Sequence, residues 1–175
     1  MVRRNILLTL LALAVAPSAL ADETTGVIRW HGEGTQIYDC RISSTGPAWV
    51  LRQPDATLTD ADGRIRGRHG AGPSWTATDG SRAVGRAITS IPAPRPGAIA
   101  WLVLQADAHD GPGTLDGVTY VLRTDTAGGV APAVGCDRDH EGAVVAVPYQ
   151  ATYSFLRPEH PTSAPINGMV EGAAK

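Results

Sequence analysis

Apolar and polar residues along this chain alternate with a period near two, in short runs separated by turn residues. "TQIYDCRI" (35–42) puts Gln36, Tyr38, Cys40 and Ile42 on one face. "VTYVLRT" (118–124) is rich in β-formers, and "AIAWLVLQ" (98–105) is continuously apolar, the pattern of a strand buried on both faces. "GAVVAVPYQATYSFL" (142–156) predicts two further strands split at Pro148, which would have to occupy an edge, a bulge or a turn. No segment repeats apolar residues at helical spacing over a dozen positions. Four Asp-Gly steps, at Asp62-Gly63, Asp79-Gly80, Asp110-Gly111 and Asp116-Gly117, supply the positive φ angles of tight hairpin turns. The expected fold is all-β: a single-domain antiparallel sandwich or barrel of about eight to ten short strands.

One stretch concentrates chemistry. In "RIRGRH" (64–69) alternation sends Arg64, Arg66 and Arg68 to one face and Ile65, Gly67 and His69 to the other, so His69 is aimed inward beside Ile65. Gly70, Gly72 and Pro73 then turn the chain, and Trp75 and Ala77 share a face on the next strand before Asp79-Gly80 turns it again. Three readings follow. His69 packs on Trp75 in the core, or His69, Trp75 and Asp79 line a ligand pocket, or His69 is a general acid or base. The last lacks a recognisable nucleophile elbow around Ser74 or Ser81.

The first residues change the address. Arg3 and Arg4 precede an apolar run from Ile6 to Ala16, Pro17 breaks it, and Ala19 and Ala21 are the small residues read by a signal peptidase. Residues 1–21 are therefore expected to be a signal peptide, removed on export to the periplasm or the extracellular space. Residues 22–156 are expected to form the all-β domain, and 157–175, with three prolines and few large apolar groups, a disordered tail. No later stretch is long enough to anchor the chain in a bilayer. Removing Arg3 and Arg4 from the 15 basic residues leaves 13 against 17 acidic ones, a formal charge of −4, which gives no footprint for nucleic acid. In an exported chain, the two cysteines Cys40 and Cys136 are expected to form one disulfide across about 95 residues.

Other groupings carry less. "LTDADGR" (58–64) has the Asp60, Asp62 and Gly63 of a calcium loop, but Leu58 and His69 stand where the outer ligands belong, so it reads as a hairpin turn. "CDRDHEG" (136–142) gathers Asp137, Asp139, His140 and Glu141 on a loop where neighbours point apart. Arg64, Arg66, Arg68, Arg82 and Arg86 suggest a positive patch or the charged face of an edge strand. No metal or cofactor motif is expected.

Five segments, "GTQIYDC" (34–40), "HGAGPSWTATDGS" (69–81), "AIAWLVL" (98–104), "RTDTAGGVAP" (123–132) and "VPYQATYSF" (147–155), occur in that order. In them the chain resembles a family of secreted proteins known as domain of unknown function 3455. That pattern usually has an aromatic residue at the position of Gly70 and often an asparagine at that of Asp125. The resemblance implies secretion and a single-domain unit, and it assigns no catalytic residue. Three functional classes remain: a non-catalytic extracytoplasmic binding or envelope-associated module for a small molecule, glycan or envelope component; a secreted hydrolase-like enzyme with a dispersed site including His69; and a structural or interaction protein.

Overall fold

The computed structural model describes residues 26–157. Eight strands follow one another: β1 (Val27–Ser43), β2 (Gly46–Thr59), β3 (Ile65–Gly70), β4 (Ser74–Ala77), β5 (Arg82–Ile91), β6 (Trp101–Asp110), β7 (Tyr120–Gly128) and β8 (Val144–Leu156). Each pairs antiparallel with the next, and β8 returns to pair with β1, so one sheet closes into a barrel in sequence order. All four Asp-Gly steps turn as the sequence predicts, with φ of 77° at Gly63, 88° at Gly80 and 70° at both Gly111 and Gly117. The proposed signal peptide and tail lie outside the described residues, apart from Arg157. Among the described residues no helix is long and apolar enough to cross a membrane.

Inward and outward positions alternate along β1, where Trp30, Gly32, Gln36, Tyr38 and Cys40 are all buried. The odd positions of β8 do the same with Tyr149, Ala151, Tyr153 and Phe155. Gly34 faces the same interior, and a Cβ there would sit 2.1 Å from the Asp55 carbonyl oxygen of β2, so the approach of the two strands admits only glycine.

Four details differ from the pattern read in the sequence. β1, β2 and β8 run for 17, 14 and 13 residues and are not short. β8 continues through Pro148, which pairs with Thr35 of β1 one residue beyond the last β7 pair, Gly128 with Tyr149; only one side of the strand carries a ladder there, so a missing N–H can face the other. The run 98–105 is not buried on both faces: Leu104 is buried, but Leu102 and Val103 are half-buried, because a ring of one sheet has a single dry face. Ile65 does not share the inward face of His69. A bulge at Arg66, between the pairs Leu58 with Gly67 and Thr59 with Ile65, turns Ile65 outward to 62% exposure.

Both ends of the barrel are closed by connections. At one end the 111–119 loop inserts Leu115 and Val118, each fully buried. At the other, the 129–143 connection is fastened to β1: the Cys40–Cys136 disulfide joins them with Cα atoms 5.2 Å apart, and the Tyr38 hydroxyl donates to the Gly129 carbonyl at 2.6 Å. Cys40 N–H donates to Ala143 O, and Gly142 N–H donates to Cys40 O.

Candidate functional site

The side wall is incomplete. β3 and β4 have six and four residues, so β2 meets β3 only from Ala56 to Thr59, and β5 meets β4 only from Arg82 to Val84. Above the 71–73 turn, which contains the cis Gly72–Pro73 peptide, the upper halves of β2 and β5 face one another with no strand between them. A cavity of about 320 Å³ lies behind this window. Leu51, Arg52, Pro73 and Ala87 border the opening, while Gln36, Pro54, His69, Trp75, Leu104, Arg123 and Tyr153 form the inner wall.

His69 and Trp75 meet because they are direct cross-strand partners, with ring centroids 5.0 Å apart and planes within 8°. In the sheet they sit between Ala56 and Ala83, all four inward and buried; the small flanking residues leave room for the two rings. Tyr153 closes on His69 from β8 at 4.9 Å. His69 Nδ1 lies 2.9 Å from the Ser74 carbonyl oxygen, which can only accept, so Nδ1 carries the proton and Nε2 is the basic nitrogen. Burial lowers the His69 pKa to about 4, against the pull of the Ser74 bond, and the imidazole is neutral at pH 7.

Arg123 is the residue that sequence reasoning missed. It follows fully buried Val121 by two positions on β7, so the alternation applied to Arg64–Arg68 aims it inward; the cue was present in "VTYVLRT" but was read as β-propensity alone. Its Nε and Nη2 donate to the Ala100 carbonyl at 3.1 and 2.8 Å. Tyr38, Tyr149 and Tyr153 have raised pKa values, mainly from burial, and the Arg123 charge opposes that rise in all three. The Gln36 side-chain nitrogen and the Trp75 indole nitrogen are buried with no protein partner, an arrangement that costs about 1–3 kcal/mol for each unsatisfied donor.

Asp79 is not brought to this cavity. It sits in the β4–β5 turn at the opposite end, where its carboxylate accepts from Ser81 N–H (2.9 Å) and Oγ (2.6 Å), and from Thr114 N–H (2.7 Å) and Oγ1 (2.5 Å). These four bonds hold its carboxyl well below the usual carboxylate range. Ser81 Oγ then accepts from Leu115 N–H at 3.0 Å, so Asp79 and Ser81 fasten the loop that plugs the barrel.

Several of the remaining charged groups pair locally, though Arg82 of the candidate patch forms no ion pair among the described residues. Arg64, Arg66, Arg68 and Arg86 each face an aspartate, and β3 is an interior strand of the ring. Asp60 Oδ1 accepts from Asp62 and Arg64 N–H within its hairpin turn. Asp137 caps the 3-10 turn Arg138–His140 and contacts His140 Nδ1 at 2.6 Å; this raises the His140 pKa and lowers that of Asp137. No three His, Cys, Asp or Glu side chains gather as a metal set among the described residues.

The family described as "Protein of unknown function (DUF3455)" matches residues 21–157. The chain belongs to the DUF3455 family. No curated protein and no solved structure matches it. In this DUF3455 chain, each of the five segments quoted above supplies part of the cavity wall: Gln36 from the first, His69 and Trp75 from the second, Leu104 from the third, Arg123 from the fourth and Tyr153 from the fifth.

Proposed function

We propose that this protein is an exported, non-catalytic binding module that takes a small, largely apolar molecule into the barrel through its side window. The observation that carries the reading is the cavity, about 320 Å³ behind a gap in the wall, at the lower end of the range for small-molecule sites (roughly 300–1,000 Å³). Its mixture of leucine, proline, alanine and aromatic walls with a few inward polar groups suits a ligand that leaves water for an apolar surface. His69 supports binding over catalysis, since its Nδ1 is held by a backbone carbonyl and its ring is packed between Trp75 and Tyr153.

A neutral naphthylamine dye titrated into the protein tests this. The expected result is saturable fluorescence enhancement at one site, with affinity reduced by about tenfold or more in Ala87→Trp. Ala87 is exposed at the window's rim, so the substitution blocks the opening without entering the core. Undiminished binding to that variant would remove the window from the account.

Export is part of the proposal, resting on Arg3-Arg4, the apolar run and Ala19/Ala21, in keeping with a disulfide-bonded fold. Intact mass of the protein from the extracytoplasmic fraction should correspond to a chain starting at Asp22. A species there that retains residues 1–21 would refute the cleavage.

A further inference from the structure

We propose that the ligand is an amphipathic monocarboxylate, with its carboxylate held by Arg123, Gln36 and Trp75 and its apolar body directed toward the window. This rests on the cavity being a small-molecule site and adds the chemistry of the head group.

Arg41, Arg52, Arg64, Arg66, Arg68 and Arg86 each lie within 4.0 Å of an aspartate, and all six are on the outside of the barrel or at its rim. Arg123 points inward and has no carboxylate within that distance among the described residues. Its bonds to Ala100 O occupy Nε–H and one Nη2–H. Three N–H groups of the guanidinium remain beside the neighbouring Tyr153 side chain; two of them, one on Nη1 and one on Nη2, lie parallel along one edge, and two N–H···O bonds from that edge match the two oxygens of a carboxylate.

The surroundings favour the same charge. Gln36 is 2% exposed and Trp75 0%; both residues line this cavity, and each keeps a buried side-chain N–H donor with no protein partner just behind its wall. No Asp or Glu lines it; the rim arginine, Arg52, is already paired with Asp39. A single uncompensated guanidinium with two orphaned donors calls for one negative charge rich in acceptor lone pairs. A cationic head would meet Arg123, and a neutral head would leave the charge unbalanced. Pro54, Ala87, Leu102 and Leu104 form the apolar path from the donors to the opening.

The experiment compares decanoate, decanol and decyltrimethylammonium by calorimetry at neutral pH, below their aggregation concentrations. Decanoate should bind at one site about tenfold or more tighter than decanol, and the cation no better than decanol. Gln36→Glu puts a carboxylate among the donors without touching the Arg123–Ala100 bonds, and should cancel the preference while decanol binding is kept. Arg123→Gln should do likewise, with retained decanol binding showing that the barrel is intact. Equal affinity for decanoate and decanol in the unmodified protein would overturn the carboxylate and leave the small-molecule reading standing. Binding of none of the three would overturn both, and a decanoate preference that survives both substitutions would place the head group elsewhere and overturn the assignment.

Discussion

At the scale of single residues, His69 makes the stability of this barrel depend on pH in a window separate from that of the carboxylates. Its pKa is about 4 when folded and near 6.5 when exposed, so the unfolded chain binds a proton more readily. The stability that follows is fully present above pH 6.5 and is lost as pH falls toward 4, by about 3 kcal/mol in total. Asp39, Asp79 and Asp137, with lowered values, act at lower pH, from about 3.8 downward. His140, with a raised value, acts with the opposite sign above 6.5. Denaturant titrations between pH 4 and 7 should therefore show a slope that His69→Phe removes. An unchanged slope in that variant would mean that folding does not lower the proton affinity of His69. The inward aim of His69 and its approach to Trp75 were legible from strand parity and a Gly-Pro turn. The aim of Ile65 was not, because a bulge shifts parity by one and "RIRGRH" carries no glycine or proline at the position where the bulge falls.

Among the elements, the short β3–β4 hairpin and the 111–119 loop have separable tasks, and Asp79 belongs to the second. Asp79→Ala removes four acceptor contacts from the turn and the loop, and should free Leu115 and Val118 to leave the barrel end. The expected outcome is a melting temperature lower by several degrees, with faster amide exchange confined to 111–119 and unchanged affinity at the window. A loss of ligand affinity equal to that of Ala87→Trp would instead tie Asp79 to the cavity. The sequence grouped Asp79 with His69 and Trp75 because they are near in the chain. A strand of four residues is enough to carry a turn residue to the other end of a barrel. Turn chemistry located the hairpins well, and Pro148 does occupy an edge-like position, but it does not split the strand: like Pro47 and Pro54 it lies inside one, where one side of the strand lacks a ladder. That condition depends on the neighbouring strand's length, which local sequence does not encode.

For the whole molecule, the all-β class and the cysteine pairing followed from alternation, turn residues and cysteine count, whereas the choice between sandwich and barrel depends on β8 returning to β1. That contact spans the entire fold and leaves no local signature. The Cys40–Cys136 bridge closes a loop of 96 residues and fixes the 129–143 connection over one barrel end. Replacing both cysteines with serine should cost about 2 to 5 kcal/mol, the long loop placing the expectation toward the upper part of that range. Equilibrium unfolding of the double variant checks it, and a loss below about 1 kcal/mol would show that the connection is held by its hydrogen bonds alone.

The missing piece of wall also sets a rule for remodelling this protein. Each residue added to β3 and β4 would raise the hairpin by about 3.3 Å, so its length acts as a sill whose height decides how wide a molecular cross-section can pass. Parity constrains such edits. Residues inserted into each strand between the 71–73 turn and the pair His69 with Trp75 must come in twos to keep the added side chains in phase with the two rings below. Evolution and design alike could thus change what this barrel admits by altering one turn, leaving Arg123, Gln36 and the closed ends where they are.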